Sequence, residues 1–130
     1  MPTSSGGVPD TDKVQVAYLT LSLTGTGTVD IGTVSGGDIL IERIAFFLSA
    51  AAGGLTSVAV KTNNGTLDTL LAATILALLG VTGTNLTAFS GPIVLPNAKK
   101  IQGIFVGTGN AGTLRVAVVY RPLAAGAVIS

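Results

Sequence analysis

The feature that most constrains this chain is a hydrophobic period of two. From Lys13 to Leu23, Val14, Val16 and Tyr18 fall on one side of an extended backbone, and Leu19, Leu21 and Leu23 fall on the other. Alternation recurs over Thr28–Val34 and Leu114–Tyr120, and Leu55–Thr62 and Ile101–Val106 also read as strands. In Leu114–Tyr120, Leu114, Val116, Val118 and Tyr120 point inward and Arg115 points outward. Shorter extended pieces are read at Thr84–Phe89 and Pro92–Leu95. The segments are separated by Thr24-Gly25-Thr26-Gly27, Ser35-Gly36-Gly37-Asp38, Ala50–Gly54, Asn63-Asn64-Gly65, Pro96–Lys99 and Gly107–Asn110. These are turn and loop compositions, in which Gly supplies the positive φ that tight turns need. Seven or eight short strands so spaced define a sandwich or a small barrel. No repeat of fixed period is present, which excludes propellers and solenoids.

One segment changes period. Leu67, Leu70, Leu71, Ile75, Leu78 and Leu79 follow helical spacing, with Thr66 placed to cap and Gly80 to stop. The spacing predicts a short helix over 67–79. A jelly roll accommodates it, because a crossover between the two sheets can carry a helix. The fold expected is therefore an all-β, jelly-roll-like β-sandwich with one short inserted helix. Its sandwich spans 13–123, between a flexible N-terminal arm (1–12) and a small apolar tail (124–130).

The strand Ile39–Leu48 is apolar on both sides. Strict alternation puts Ile39, Ile41, Arg43 and Phe47 on one face and Leu40, Ile44, Phe46 and Leu48 on the other. A strand of that kind is buried on both sides. The expectation is that Ile44 and Phe46 lie in the core, and that Ile41, Arg43 and Phe47 meet a partner strand, helix or subunit. Composition agrees. Only 10% of the residues are charged while 48% are hydrophobic, against about 25% charged in a typical domain. A free monomer of this kind exposes much apolar area, and large apolar patches mark interfaces.

Chemistry is sparse. The chain has no His and no Cys, the residues that supply most tunable proton carriers and nucleophiles. Asp68, Lys61 and Arg115 have no spacing that demands an acid–base group, and six scattered acids do not make a glycosidase pair. No enzyme activity and no cofactor are expected. Asp10, Asp12, Asp30 and Asp38 lack the spacing of a calcium loop, so no metal site is expected. Gly25-Thr26-Gly27 and Gly107-Thr108-Gly109 lack the Lys-Ser/Thr of a phosphate loop and read as hairpin turns. Lys99-Lys100 is the one adjacent basic pair, too little for a phosphate footprint, so no nucleic-acid partner is expected. The longest apolar stretch, Leu70–Val81, falls short of the ~20 residues of a spanning helix. Six aromatic residues do not make the girdles of a membrane barrel, and no apolar run precedes Lys13 as a secretory signal would. No membrane association is expected.

The run from Asp38 to Leu123 resembles the small jelly-roll head decoration (cement) proteins of tailed bacteriophages. The resemblance lies in Gly37-Asp38-Ile39-Leu40-Ile41-Glu42-Arg43-Ile44, in Asn64-Gly65-Thr66-Leu67-Asp68, in Ile93 through Ile101 (IVLPNAKKI), and in Gly112-Thr113-Leu114-Arg115-Val116 continuing through Tyr120-Arg121-Pro122-Leu123. These are strand and turn patterns, and no binding residue is carried over. The resemblance implies a virion structural protein on the capsid surface, often a homotrimer, that ties neighbouring copies of the major capsid protein together. The competing expectation is a carbohydrate- or receptor-binding β-sandwich module of a phage tail or cell surface. Sugar sites usually stack aromatic rings, and this chain has no Trp and only two Tyr and four Phe.

Overall fold

Three strands are too long for any one layer of a small sandwich. The computed structural model describes residues 13–64, 69–75, 85–86 and 92–130. Its elements are β1 (Gln15–Ser35), β2 (Ile39–Thr62), β3 (Thr69–Ile75), β4 (Asn85–Leu86), β5 (Ile93–Leu95), β6 (Lys100–Pro122) and β7 (Val128–Ile129). Strands β1, β2 and β6 run 21, 24 and 23 residues, several times the usual five or six. β6 lies between β1 and β2 along its whole length, and every pairing in the sheet is antiparallel.

Each long strand is broken in the middle. Register shifts fall at Ser22/Thr24 and Gly25/Gly27 in β1, and at four successive points between Leu48 and Ser57 in β2. Gly25 and Gly27, Gly54, and Gly107 and Gly112 have positive φ at these places. They are corners, where bulges turn a strand and increase its twist. The sheet folds over along this line into two layers. Layer 1 contains 15–22 of β1, 113–122 of β6, 39–50 of β2, and β5 and β4 beyond it. Layer 2 contains 24–33 of β1, 100–111 of β6, 53–62 of β2, and then β3. Counting β4 and β5, which both pair with 39–50, as one segment and leaving out the two-residue β7, the eight extended segments along the chain read 1-8-3-6 and 2-7-4-5 in the two layers, the strand order of a jelly roll. The Gly-Thr-Gly sequences expected to make hairpin turns therefore lie inside continuous strands. A corner and a hairpin need the same left-handed residues, and only the long-range pairing separates them.

The inner faces of the two layers form one core. Leu21, Leu23, Ile39, Ile41, Phe46, Leu48, Leu55, Val58, Val60, Ile101, Leu114 and Val118 are buried within it. Approach across the layers is close. A Cβ added at Gly103 would lie 2.8 Å from Leu21 Cδ2, and one at Gly32 would lie 2.8 Å from Leu19 Cδ1. At the corner, a Cβ on Gly109 would overlap the carbonyl oxygen of Leu23.

Two expected assignments change for the same reason. Between Ile41 and Arg43 the register against β6 slips by one residue, since Ile41 faces Tyr120 and Arg43 faces Val119. This bulge puts Glu42 and Arg43 together on the outer side and resets the parity. Ile39, Ile41, Ile44, Phe46 and Leu48 all turn inward, while Phe47 turns outward. Ile41 is fully buried in the core and does not share the face of Arg43 and Phe47. In β3, Val60 faces Leu71 and Lys61 faces Thr69, so Leu70 is an extra residue. The bulge brings two adjacent leucines inward, which in sequence imitates a helical stripe. Over Thr69–Ile75 the predicted helix is replaced by a strand that closes layer 2; the rest of 67–79 lies outside the described residues, as does the arm 1–12.

The tail returns to the sandwich. β7 pairs with Val34 and Ser35, and Ala127 and Ile129 are buried. Asp38 ties the β1–β2 turn to the β5–β6 turn by accepting a hydrogen bond from the backbone N–H of Asn97 at 2.8 Å.

Phe46 and Phe47 separate the two sides of β2. Phe46→Ala is expected to cost about 3–5 kcal/mol by leaving a cavity between the layers. Phe47→Ala is expected to cost under about 1 kcal/mol. Denaturant unfolding of the two variants at equal concentration, below that at which the chain associates, measures the difference.

A candidate assembly face on the outer side of layer 1

The outer side of layer 1 is apolar. Three cross-strand rows define it: Val16–Val119–Arg43, Tyr18–Ala117–Ala45 and Thr20–Arg115–Phe47. Val14 and Val94 extend it at one end. Of the large hydrophobic side chains exposed in the described residues, five belong to this side: Val14, Val16, Tyr18, Phe47 and Val94, with Tyr18 83% exposed.

A groove runs across the face. Ala45 and Ala117 lie side by side on the central strands, and their small side chains form its floor. Tyr18 on β1 and Phe47 on β2 form its walls, and Arg115 and Thr20 close one end. Its volume is about 340 Å³. Two strand spacings, about 10 Å, separate the strands carrying the walls. An apolar or planar group fits between them.

The charges of the face are Arg43, Arg115, Arg121 and Glu42. Arg121 Nε donates to Glu42 Oε2 at 3.0 Å in a partly exposed pair, a geometry that contributes little to stability. Arg43 and Arg115 leave the described part of the face positive.

The outer side of layer 2 is more polar. Asp30 accepts hydrogen bonds from Lys100 Nζ and Gln102 Nε2, both at 2.8 Å. The bond from Lys100, followed by that from Gln102, holds the Asp30 carboxyl below the usual carboxylate range. Asp30 and Asp38 serve separate contacts, while Asp10 and Asp12 lie outside the described residues. Among the described residues no three acids gather where they could hold a metal ion. Lys61 is in layer 2 and Arg115 in layer 1, so the structure does not bring them together; Asp68 lies outside the described residues. No helix among the described residues is long and apolar enough to cross a membrane.

Of the three expected interface residues, Arg43 and Phe47 are on this exposed side and Ile41 is not. Alternation alone placed Val14, Val16 and Tyr18 opposite Leu19, Leu21 and Leu23, but it did not join them to Phe47. That step needs β6 between β1 and β2. No protein-family model matches the chain, and no curated sequence is significantly similar to it.

The depressed pKa of Asp30 has a pH consequence. Its ionised form is favoured in the fold, so its contribution is present above the unfolded value of about 3.9 and is lost as pH falls through the lower folded value. Thermal unfolding followed from pH 5 to pH 2 should show a shallower loss of stability in Asp30→Asn than in the parent chain. Equal slopes would mean that the Lys100 and Gln102 contacts add nothing.

Proposed function

We propose that this chain is a virion structural protein: a homotrimeric decoration protein on the capsid surface that binds major capsid protein in the assembled phage head. One observation carries the reading. The outer side of layer 1 presents a contiguous apolar face with a groove, and burial of such a face is the strongest association the described residues offer. The resemblance of 38–123 to cement proteins supplies the location.

The mechanism is linkage. A protein that binds the assembled shell and not its free subunits raises shell stability by an amount set by its concentration over its dissociation constant. Several weak contacts per oligomer add by avidity. The apolar contacts depend little on salt, while any contact through Arg43 and Arg115 weakens as salt rises. The second reading, a carbohydrate- or receptor-binding module, rests on the ring of Tyr18, which is open to solvent beside the groove.

The test is the rupture temperature of heads lacking this protein, measured with and without it at low and high salt. Saturating protein is expected to raise the rupture temperature at both, and Phe47→Glu is expected to remove most of the rise while the isolated variant still folds. No shift at saturation overturns the cement role. Retention on a glycan or cell-surface receptor would then favour the second reading.

A further inference from the structure

β1 is an edge strand along most of its length. β6 covers one side of it; on the other, β7 reaches only Val34 and Ser35. On that open side the backbone of residues 15–31 makes no hydrogen bond with any described residue. Exposed strand edges are templates for pairing, and folded proteins usually blunt them with Lys, other charges or Pro. This one is not blunted in that way. From Val14 to Val29 there is no charged residue and no Pro.

We infer that residues 15–22 of β1 form an intermolecular pairing site whose occupant is the same segment of a second copy, running antiparallel. Three observations select a second copy. A neutral strand meets its own copy without like-charge repulsion. Among the described residues layer 1 has no other edge of matching length, because its far side shows only β5 and β4, of three and two residues. A two-fold axis perpendicular to the sheet keeps both outer sides facing the same way, so Val16, Tyr18 and Thr20 of the two copies become neighbours and the apolar face continues across the joint. The layer 2 half of β1 is broken by register shifts at Gly25/Gly27 and Asp30/Gly32 and carries the charged Asp30, so it does not offer a regular, neutral edge. The inference concerns the edge and not the face. It joins copies in pairs however many copies the face assembles, and it does not depend on a place in a virion.

The symmetry makes a sharp test. Residues directly opposite in an antiparallel pair share a side of the sheet, so in identical strands their numbers differ by an even amount. The axis therefore passes through one residue, which faces itself at about 4.5–5.5 Å between Cα atoms, within disulfide range. The chain has no Cys, so single cysteines placed in turn at positions 15 to 22, with Ala45→Cys as a face control, report without background. Under mild oxidation one β1 position is expected to cross-link at least tenfold faster than those two residues away. Adding lysines at the two outer-side positions that flank the linking residue (Val16→Lys with Thr20→Lys where position 18 links), which face each other across the joint, should slow the cross-link at least tenfold, and an equimolar mixture with the same variant carrying glutamates at those two positions should restore it. No cross-linking along β1, or equal rates at all eight positions, overturns the inference. Cross-linking at Ala45→Cys with none along β1 would reject the edge and leave the face reading standing.

Discussion

Everything in this molecule depends on three strands bending at the same level. β1, β2 and β6 each pass through both layers, so one antiparallel sheet supplies both walls of the core. Flat strands of that length would leave the inner leucines and valines facing water. The corners prevent this. Bulges and left-handed glycines turn the strands together, and the backbone at Gly109 and Gly103 comes close enough that a side chain there would meet Leu23 or Leu21. The glycine content thus serves folding directly, by letting two layers of one sheet close on each other.

That fold-over gives the molecule two unlike sides. Outward positions of layer 1 carry Val14, Val16, Tyr18, Ala45, Ala117 and Phe47, while layer 2 turns out Thr28, Asp30, Gln102 and Lys61. Small residues on the central strands and large ones on the flanking strands shape the layer 1 groove. The ion pairs seen among the described residues fasten strands: Asp30 to β6, and Glu42 to Arg121 across β2 and β6. Stability rests mainly on the buried cluster between the layers.

Much of this was legible in the sequence, because alternation is a local signal. The inward and outward sides of β1 before its corner, and of β6 from Leu114 to Tyr120, follow directly from period two, as does the all-β sandwich. What failed to show was non-local. Glu42 and Arg43 are neighbours that alternation sends to opposite faces; a one-residue slip against β6 puts them on the same side and sends Ile41 into the core. Leu70 and Leu71 have helical spacing, and a slip against β2 makes them a strand. Gly25-Thr26-Gly27 has the chemistry of a turn whether the chain reverses or merely bends. Ala127 and Ile129 are too few to make a pattern, yet pairing with Val34 and Ser35 draws the tail into the core. Of the candidate site, Phe47 and Arg43 were visible one by one; their union with Tyr18 depends on β6.

The central claim is that the outer side of layer 1 is covered in the working protein. Sedimentation equilibrium of the purified chain across the micromolar range tests it most directly. The account predicts the mass of an oligomer that dissociates on dilution, three chains through the face alone and six where the β1 edges also pair. A monomer mass at every concentration would contradict it.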